Sequence, residues 1–275
     1  MAFSSSGTLP GGKGASNTEP ARTGERLWAA IIAAAGQSRR MGGRKKEYLS
    51  LPGVLDAGGA PLSVLAASVA AFAAFPEIDP LVIVVPPDGG TGEDEARASL
   101  PRRFLDAARR PSVLFVPGGT TRRASVHHAL SLLAVHRPAF VLIHDGGRPW
   151  VDAALIGRIM AAVIRYRAAV PVLPLVETPK MIEPAAGEAG AAALPMVTRH
   201  LRRAAVVTAQ TPQGFAFPAI LRAHEKAAER ERTENREYTD DAEIWGEFCG
   251  PVAAVPGSAE NRKITFPEDL ALSTR

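Results

Sequence analysis

Five short apolar runs, each too brief for a typical helix, set the strongest limit on what this chain can become. They are "LWAAIIAAA" (27–35), "LVIVVP" (81–86), "SVLFVP" (112–117), "FVLIHD" (140–145) and "AVPVLPL" (169–175). A strand covered on both faces has no polar face to alternate with, so it reads as a continuous run. Helix-like stretches lie between them at 61–75, 94–110 (interrupted by Pro101), 121–135 and 152–167. Strand and helix alternating at this spacing predict an α/β fold, a doubly wound, mostly parallel sheet with helices on both sides.

The rhythm breaks at Glu177. From there to Ala209 no amphipathic helix is legible, and the turn region "EPAAGEAGAAALP" separates two segments that suit an extended hairpin. We expect this β-arm, 177–209, to protrude and pack on another subunit. Beyond it the pattern predicts helices at 218–232 and 240–248, a strand at 251–257 and a capped turn at 265–273. At the other end, residues 1–26 are rich in Ser, Gly, Thr and Pro and hold almost nothing that could form a core, so a tail is expected there. Residues 27–275 are read as one domain, a size that 275 residues with 46% hydrophobic content can support.

Charge placement says more than charge total. The formal net charge is only +4, which does not demand a nucleic-acid partner but suits an anionic ligand. Cys249 is the sole cysteine, so a disulfide framework and a thiolate zinc site are excluded, in keeping with a cytoplasmic protein, and the residue is expected to pack as a small apolar group. No apolar run approaches a membrane span.

Directly after the first apolar run comes "AAAGQSRRMGGRKKEY", with Arg39, Arg40, Arg44, Lys45 and Lys46 inside eight positions. In doubly wound sheets ligands sit beyond the carboxyl ends of the strands, where this loop lies. Open glycine and alanine backbone plus cationic side chains make a cradle for several phosphates; the alternative is a solvated basic turn. The spacing is neither a P-loop nor a dinucleotide fingerprint. "PGGTTRRASV" (117–126) follows another strand and offers Gly118, Gly119 and Ser125 for close contacts, or simply a helix cap. In "IHDGGRPWV" (143–151), Asp145 stands at a strand tip three residues before Arg148, fit for Mg²⁺ shared with phosphate oxygens, or for a loop salt bridge.

Six segments in order, "AAAGQSRRMGGRKKEYL", "GGTTRRASV", "HDGGRPWV", "AQTPQGF", "YTDDAEI" and "NRKITFPEDL", resemble the motif series of the 2-C-methyl-D-erythritol 4-phosphate cytidylyltransferases, over about 27–272. The resemblance implies a Rossmann-like nucleotidyltransferase fold and transfer of the cytidylyl group of CTP to methylerythritol phosphate, with Mg²⁺ required and pyrophosphate released. It also implies a homodimer whose arm reaches into the neighbour's site. By the same resemblance Arg40 and Lys46 grip the triphosphate and Lys263 approaches it from the far side. Ala34, Ala35, Gly36, Gly118, Gly119 and Ser125 then line the nucleotide pocket. Asp145 is the metal-side aspartate with Arg148 beside it, and Thr178, Arg203, Thr211, Thr239 and Thr265 surround the acceptor. The chain departs from the family pattern at Ser38, where glycine is usual, at Lys45, where proline is common, at Glu47 for glutamine, at Gly146 and Gly147 for paired alanines, and at Glu177 for aspartate.

Three other functions compete: a cytidylyltransferase for another polyol phosphate such as ribitol 5-phosphate, a catalytically inactive nucleotide-binding regulatory protein, and a nucleic-acid binder. The last has no aromatic residues interleaved with its basic loops. His127 and His128 lie on a helix without a metal-spaced partner, His144 is read as an ordered strand-end residue, and Asp240 and Asp241 are read as helix-capping groups.

Overall fold

A computed structural model describes residues 28–42, 45–56, 58–87, 90–184 and 194–271. The expected tail at 1–26, Gly43 and Arg44 of the basic loop, and the turn of the arm at 185–193 lie outside the described residues.

Along the chain, β1 (Trp28–Ala33) is followed by a hairpin of β2 (Ser50–Leu55) and β3 (Pro61–Ser63), then α1 (Val64–Ala73) and β4 (Ile78–Val85). Next come α2 (Thr91–Ala98), β5 (Val113–Pro117), α3 (Arg122–Leu133), β6 (Phe140–Asp145), α4 (Ala153–Tyr166) and β7 (Ala168–Pro174). The arm is β8 (Lys180–Glu183) paired antiparallel with β9 (Met196–His200). The chain closes with β10 (Val207–Ala209), β11 (Gln213–Ala216), α5 (Phe217–Glu234), α6 (Asp241–Phe248), β12 (Ala253–Pro256) and α7 (Glu268–Ala271).

The main sheet runs β10-β7-β11-β6-β1-β4-β5, with β12 also paired to β7. β1 is parallel to both β4 and β6, β4 to β5, and β12 to β7. β11 is antiparallel to β6 and β7, and β10 to β7. Alternation along the central strands divides the core in two, as pleating requires. Ala30, Ile32, Leu81 and Ile83 face α1 and α4, while Ala29, Ile31, Val82 and Val84 face α3 and α5. Both faces are therefore dry, the physical reason these strands read as unbroken apolar runs.

Register positions the site. Ala33 pairs with Val84 on one side and Asp145 on the other, and Val85 pairs with Pro117. Four parallel strands thus end on one level, and the basic loop, the "GGTT" turn and the "HDGGRP" turn leave the sheet side by side.

Several boundaries move from the sequence expectation. The helix expected from residue 61 begins at Val64, because Pro61–Ser63 pairs with β2 and the Ser63 hydroxyl caps α1 by accepting from Ala66 N–H at 2.9 Å. The stretch 94–110 holds a helix only to Ala98 and then a single turn of 3-10 helix at Arg102–Phe104, since Pro101 stops the hydrogen-bond ladder. Cys249, expected to pack, is exposed at the end of α6. Among the described residues no helix is long and apolar enough to cross a membrane.

Candidate functional site

The loop after β1 is shaped by side chains that hold one another. Ala34 remains tied to β4 through its N–H to the Val84 carbonyl at 3.0 Å. Ser38 adopts φ 47°, the left-handed region that favours glycine, and its hydroxyl accepts from Lys46 N–H at 3.3 Å while donating to Glu47 Oε2 at 3.4 Å. Lys45 donates to the Gly36 carbonyl and lies 3.5 Å from Glu47. Glu47 is only 4% exposed, so it anchors the loop from beneath.

This folding leaves Lys46 stretched across the "HDGGRP" turn. A Cβ placed on Gly147 would meet Lys46 Cε at 3.1 Å and Nζ at 3.2 Å, so the glycine makes room for the lysine. Burial lowers the Lys46 pKa; Glu47 and Asp145 oppose that shift, and Lys263 and Arg40 add to it. The four predicted residues Arg40, Lys46, Asp145 and Lys263 therefore act on one another in a common field. Arg40 stacks its guanidinium over Phe266 at 5.5 Å, beside the segment that carries Lys263. Ile264 N–H donates to the Gly147 carbonyl at 2.8 Å and docks that segment on the turn.

Asp145 is the hub. Lys263 Nζ lies 2.9 Å from its Oδ2, Arg148 Nε 3.6 Å from the same oxygen, and Arg122 Nε 3.6 Å from Oδ1. Burial works against its charge, yet Lys263, Arg122 and Arg148 outweigh it and hold the carboxyl far below the usual carboxylate range. The salt bridge to Arg148 and a metal-facing carboxylate, alternatives in the sequence, are compatible in this geometry. An ionised carboxylate whose Oδ1 has only a 3.6 Å contact suits a hard cation that takes most of its ligands from phosphate and water. Among the described residues no group of three His, Cys, Asp or Glu side chains is placed to hold a metal unaided.

Two residues central to this hub go unrecognised in the sequence, Arg122, which is not singled out, and Asp241, which is read as a helix cap. Arg122 joins Asp145 to Asp241, whose Oδ2 it meets at 2.8 Å, and Asp241 Oδ1 lies 3.2 Å from His224 Nε2. Asp241 and His224 are fully buried. The capping role expected for both aspartates holds only for Asp240, which accepts from Glu243 N–H at 2.8 Å. Asp241 turns inward because it shares a helix face with Ile244, Trp245 and Phe248, at offsets of three, four and seven. That offset pattern was readable in "DDAEIWGEF" and is the signal that marks Asp241 as buried.

The nucleotide-side residues also converge. A Cβ on Gly118 would sit 2.5 Å from the Ala35 Cβ, so the two loops touch there. Gly119 N–H donates to Ser125 Oγ at 3.0 Å, Ser125 in turn donates to the Thr121 carbonyl, and Thr121 caps α3. Cap and close approach coexist.

The residues expected around the acceptor come from separate segments of the chain, each with its own partners. Thr211 is 4% exposed, accepts from Asp145 N–H at 3.1 Å and lies 3.0 Å from His144 Nδ1. Thr239 is exposed and gives both its N–H and its hydroxyl to Glu243. Thr265 donates to the Lys263 carbonyl at 3.3 Å. Thr178 and Arg203 sit at the base of the arm, where Arg203 donates to the Val176 carbonyl at 2.7 Å.

The family model described as "IspD: 2-C-methyl-D-erythritol 4-phosphate cytidylyltransferase" matches residues 28–274. The chain is 39% identical over 244 residues to the bifunctional enzyme IspD/IspF of Bradyrhizobium sp. (strain ORS 278), covering 88% of this chain and 54% of that one. It is 37% identical to the bifunctional enzyme IspD/IspF of Rhodospirillum rubrum, covering 90% and 56%. The chain thus spans about half the length of the curated relatives it matches. The crystal structure of 2-C-methyl-D-erythritol 4-phosphate cytidylyltransferase from Thermus thermophilus superposes with a TM-score of 0.59 at 31% identity, covering 89% of this chain and 96% of that one. A Francisella tularensis structure with a TM-score of 0.67 at 22% identity, covering 90% and 97%, supports the same fold. With the family model running through every strand and helix that builds the site, this chain belongs to the 2-C-methyl-D-erythritol 4-phosphate cytidylyltransferase family.

Proposed function

We propose that this chain transfers the cytidylyl group of CTP to 2-C-methyl-D-erythritol 4-phosphate with release of pyrophosphate, a step of isoprenoid precursor synthesis. The observation that carries the reading is the convergence of Lys46, Arg148 and Lys263 on Asp145, with Arg40 acting on Lys46, at the level where four parallel strands end. The acceptor attacks through a phosphate oxygen that is already anionic, so no strong general base is required. What obstructs the reaction is the approach of two polyanions. Unit charges 4 Å apart repel by about 4 kcal/mol at an effective dielectric near 20, and several such pairs arise together. Fixed cations around the α-phosphate remove that obstacle, and positioning for in-line displacement supplies the rest.

In this reading Lys46 and Arg40 neutralise the triphosphate from the first loop, and Lys263 faces them from the opposite side. Gly118, Gly119 and Ser125 leave backbone open to the cytosine ring and ribose. Asp145 would hold a divalent cation such as Mg²⁺, which supplies charge neutralisation on the phosphate oxygens when bound. The arm suits a homodimer: every residue of β8 and β9 is exposed, and the large apolar side chains of Ile182, Met196 and Val197 lie open on it. Arg203 and Thr178 then reach the acceptor of the neighbouring subunit.

The test is incubation with CTP and Mg²⁺ plus methylerythritol phosphate or ribitol 5-phosphate, with pyrophosphate measured. Release with methylerythritol phosphate alone supports the reading. Release with ribitol phosphate alone transfers the assignment to that acceptor, and tight CTP binding with no release under either acceptor overturns it.

A further inference from the structure

Phe266 is an aromatic side chain whose position burial does not account for. The segment that carries it is fixed at several points. Ile264, fully buried, gives its N–H to the Gly147 carbonyl at 2.8 Å, and Asp269 Oδ2 accepts from Thr265 N–H at 2.7 Å and from Phe266 N–H at 2.8 Å. Nearby, the Arg262 guanidinium lies 5.1 Å from the centre of the Trp150 ring and ties the same segment to the end of the "HDGGRPW" turn. The backbone is therefore held, yet the Phe266 residue remains 45% exposed. A phenyl ring left in water forgoes much of the stabilisation that burying it would supply.

The ring meets Arg40 instead, with the guanidinium carbon 5.5 Å from its centre. Arg40 is itself exposed, on the single 3-10 turn Arg39–Met41 that buried Met41 anchors. Among the described residues no carboxylate forms an ion pair with it. The kind of partner decides what Arg40 can still do. A carboxylate would occupy the donor edge of the guanidinium and answer its charge, so an incoming phosphate would have to displace it. An aromatic ring takes the flat face and leaves both the edge donors and the full charge to a ligand. An arginine with no such support samples many rotamers, and ordering it on binding costs affinity that a preset side chain retains. The contact also spans the cleft, since Arg40 belongs to the loop after β1 and Phe266 to the segment of Lys263.

We propose that Phe266 is a positioning residue for triphosphate binding: its ring holds the Arg40 guanidinium by the face and leaves the donor edge for phosphate oxygens. This deepens the proposed function and rests on its placing of the triphosphate between the first loop and Lys263.

The test uses inorganic tripolyphosphate, titrated calorimetrically into the ligand-free chain, so that neither acceptor nor turnover is needed. Exposed cation–π contacts change affinity by about twofold to fivefold. Phe266→Leu keeps apolar bulk without a π face and should weaken binding by that factor, whereas Phe266→Trp offers a better face and should bind as tightly as the parent or more so. In an Arg40→Met background Phe266→Leu should change nothing further, because the pair has no interaction left to lose. The Arg40 Nε proton reports the contact without any ligand: shielded by the ring current in the parent and in Phe266→Trp, it should move downfield in Phe266→Leu. Parent affinity in Phe266→Leu, the same loss in Phe266→Trp, or an equal loss with and without Arg40 each overturns the proposal, whatever the chain turns over. Coupling between the two residues with no pyrophosphate released under CTP and either acceptor upholds the proposal and overturns the assigned reaction.

Discussion

Replacing Asp241 by asparagine removes one charge from the centre of the buried network and almost nothing else. The carboxylate is 0% exposed, 2.8 Å from Arg122 Nη2 and 3.2 Å from His224 Nε2. Removing one partner of a buried ion pair costs about 3–5 kcal/mol when the other charge is stranded. Arg122 is not fully stranded, because Asp145 remains 3.6 Å away and its own side chain is 28% exposed. A loss at or just below the lower end of that range, about 2–3 kcal/mol, is therefore expected. Burial raises the Asp241 pKa, but Arg122 and His224 more than reverse this and bring it from 3.8 to about 2. At about 1.36 kcal/mol per unit that displacement is itself worth about 2 kcal/mol. The sign is fixed by the depression: the contribution is complete above pH 3.8 and disappears as pH falls toward 2. Urea titrations at pH 7 should put the Asp241→Asn midpoint about 1 M below the parent, for a slope near 2–3 kcal/mol per molar. The gap should narrow below about pH 4. A difference under about 0.5 kcal/mol at pH 7, or one indifferent to acid, would refute the account of Asp241 as the charge that fixes Arg122.

Lys46→Ala should lower kcat about a hundredfold or more, the loss seen when one transition-state donor is removed, and near-normal pyrophosphate release would exclude Lys46 from the chemistry. Burial lowers the Lys46 pKa and its ammonium is the competent form. The alkaline limb of kcat/KM should therefore begin below the ordinary lysine value near 10.4 and move upward in Lys46→Arg; a limb that ignores the substitution assigns it to another group. Gly118→Ala forces a Cβ to 2.5 Å from the Ala35 Cβ and 3.3 Å from the Val85 carbonyl. Overpacking of that kind should cost about 1–3 kcal/mol in thermal or urea unfolding and raise the KM for CTP, and an unchanged KM would place the nucleotide elsewhere.

How far the sequence discloses this molecule depends on whether a residue's role is set locally or by distant partners. β1, β4 and β6 are covered on both faces, so their burial is written into consecutive residues and needs no knowledge of the neighbours. β10 and β11 are only three and four residues long and exist because β7 and β6 offer antiparallel edges, which nothing in "VTA" or "QGFA" announces. β2 carries Pro52 and Gly53, which read as loop, and becomes a strand through its pairing with β3. The same division applies to the site. Arg40, Lys46 and Lys263 stand out because cations clustered after strand ends have few structural uses. Asp241 does not, since its neighbour Asp240 supplies a sufficient reason for acid at a helix start, and only the offset to Ile244, Trp245 and Phe248 separates the two. Thr211 is visible as a motif residue, but its partners His144 and Asp145 lie more than sixty positions away.

The distribution of carboxylates explains how so many cations coexist before any phosphate arrives. Arg40, Lys46, Arg122, Arg148 and Lys263 would repel one another by several kcal/mol if left uncompensated in a partly buried cleft. Asp241 is fully buried on the strand-end side and Asp145 largely so, and Arg122, pinned between them, has its proton held more firmly than usual despite its burial. Lys46 leans the other way, as Arg148 does. Glu47 lies 4.0 Å from Lys46, and burial together with Lys263 and Arg40 outweighs the help from Glu47 and Asp145. An under-compensated cation such as Lys46 gains from an incoming triphosphate, whereas Arg122 has its charge already answered by protein. A gradient of this kind keeps the framework folded when empty and concentrates the attraction for phosphate on the first loop, where the chain's departures at Ser38, Lys45 and Glu47 hold Lys46 over Gly147.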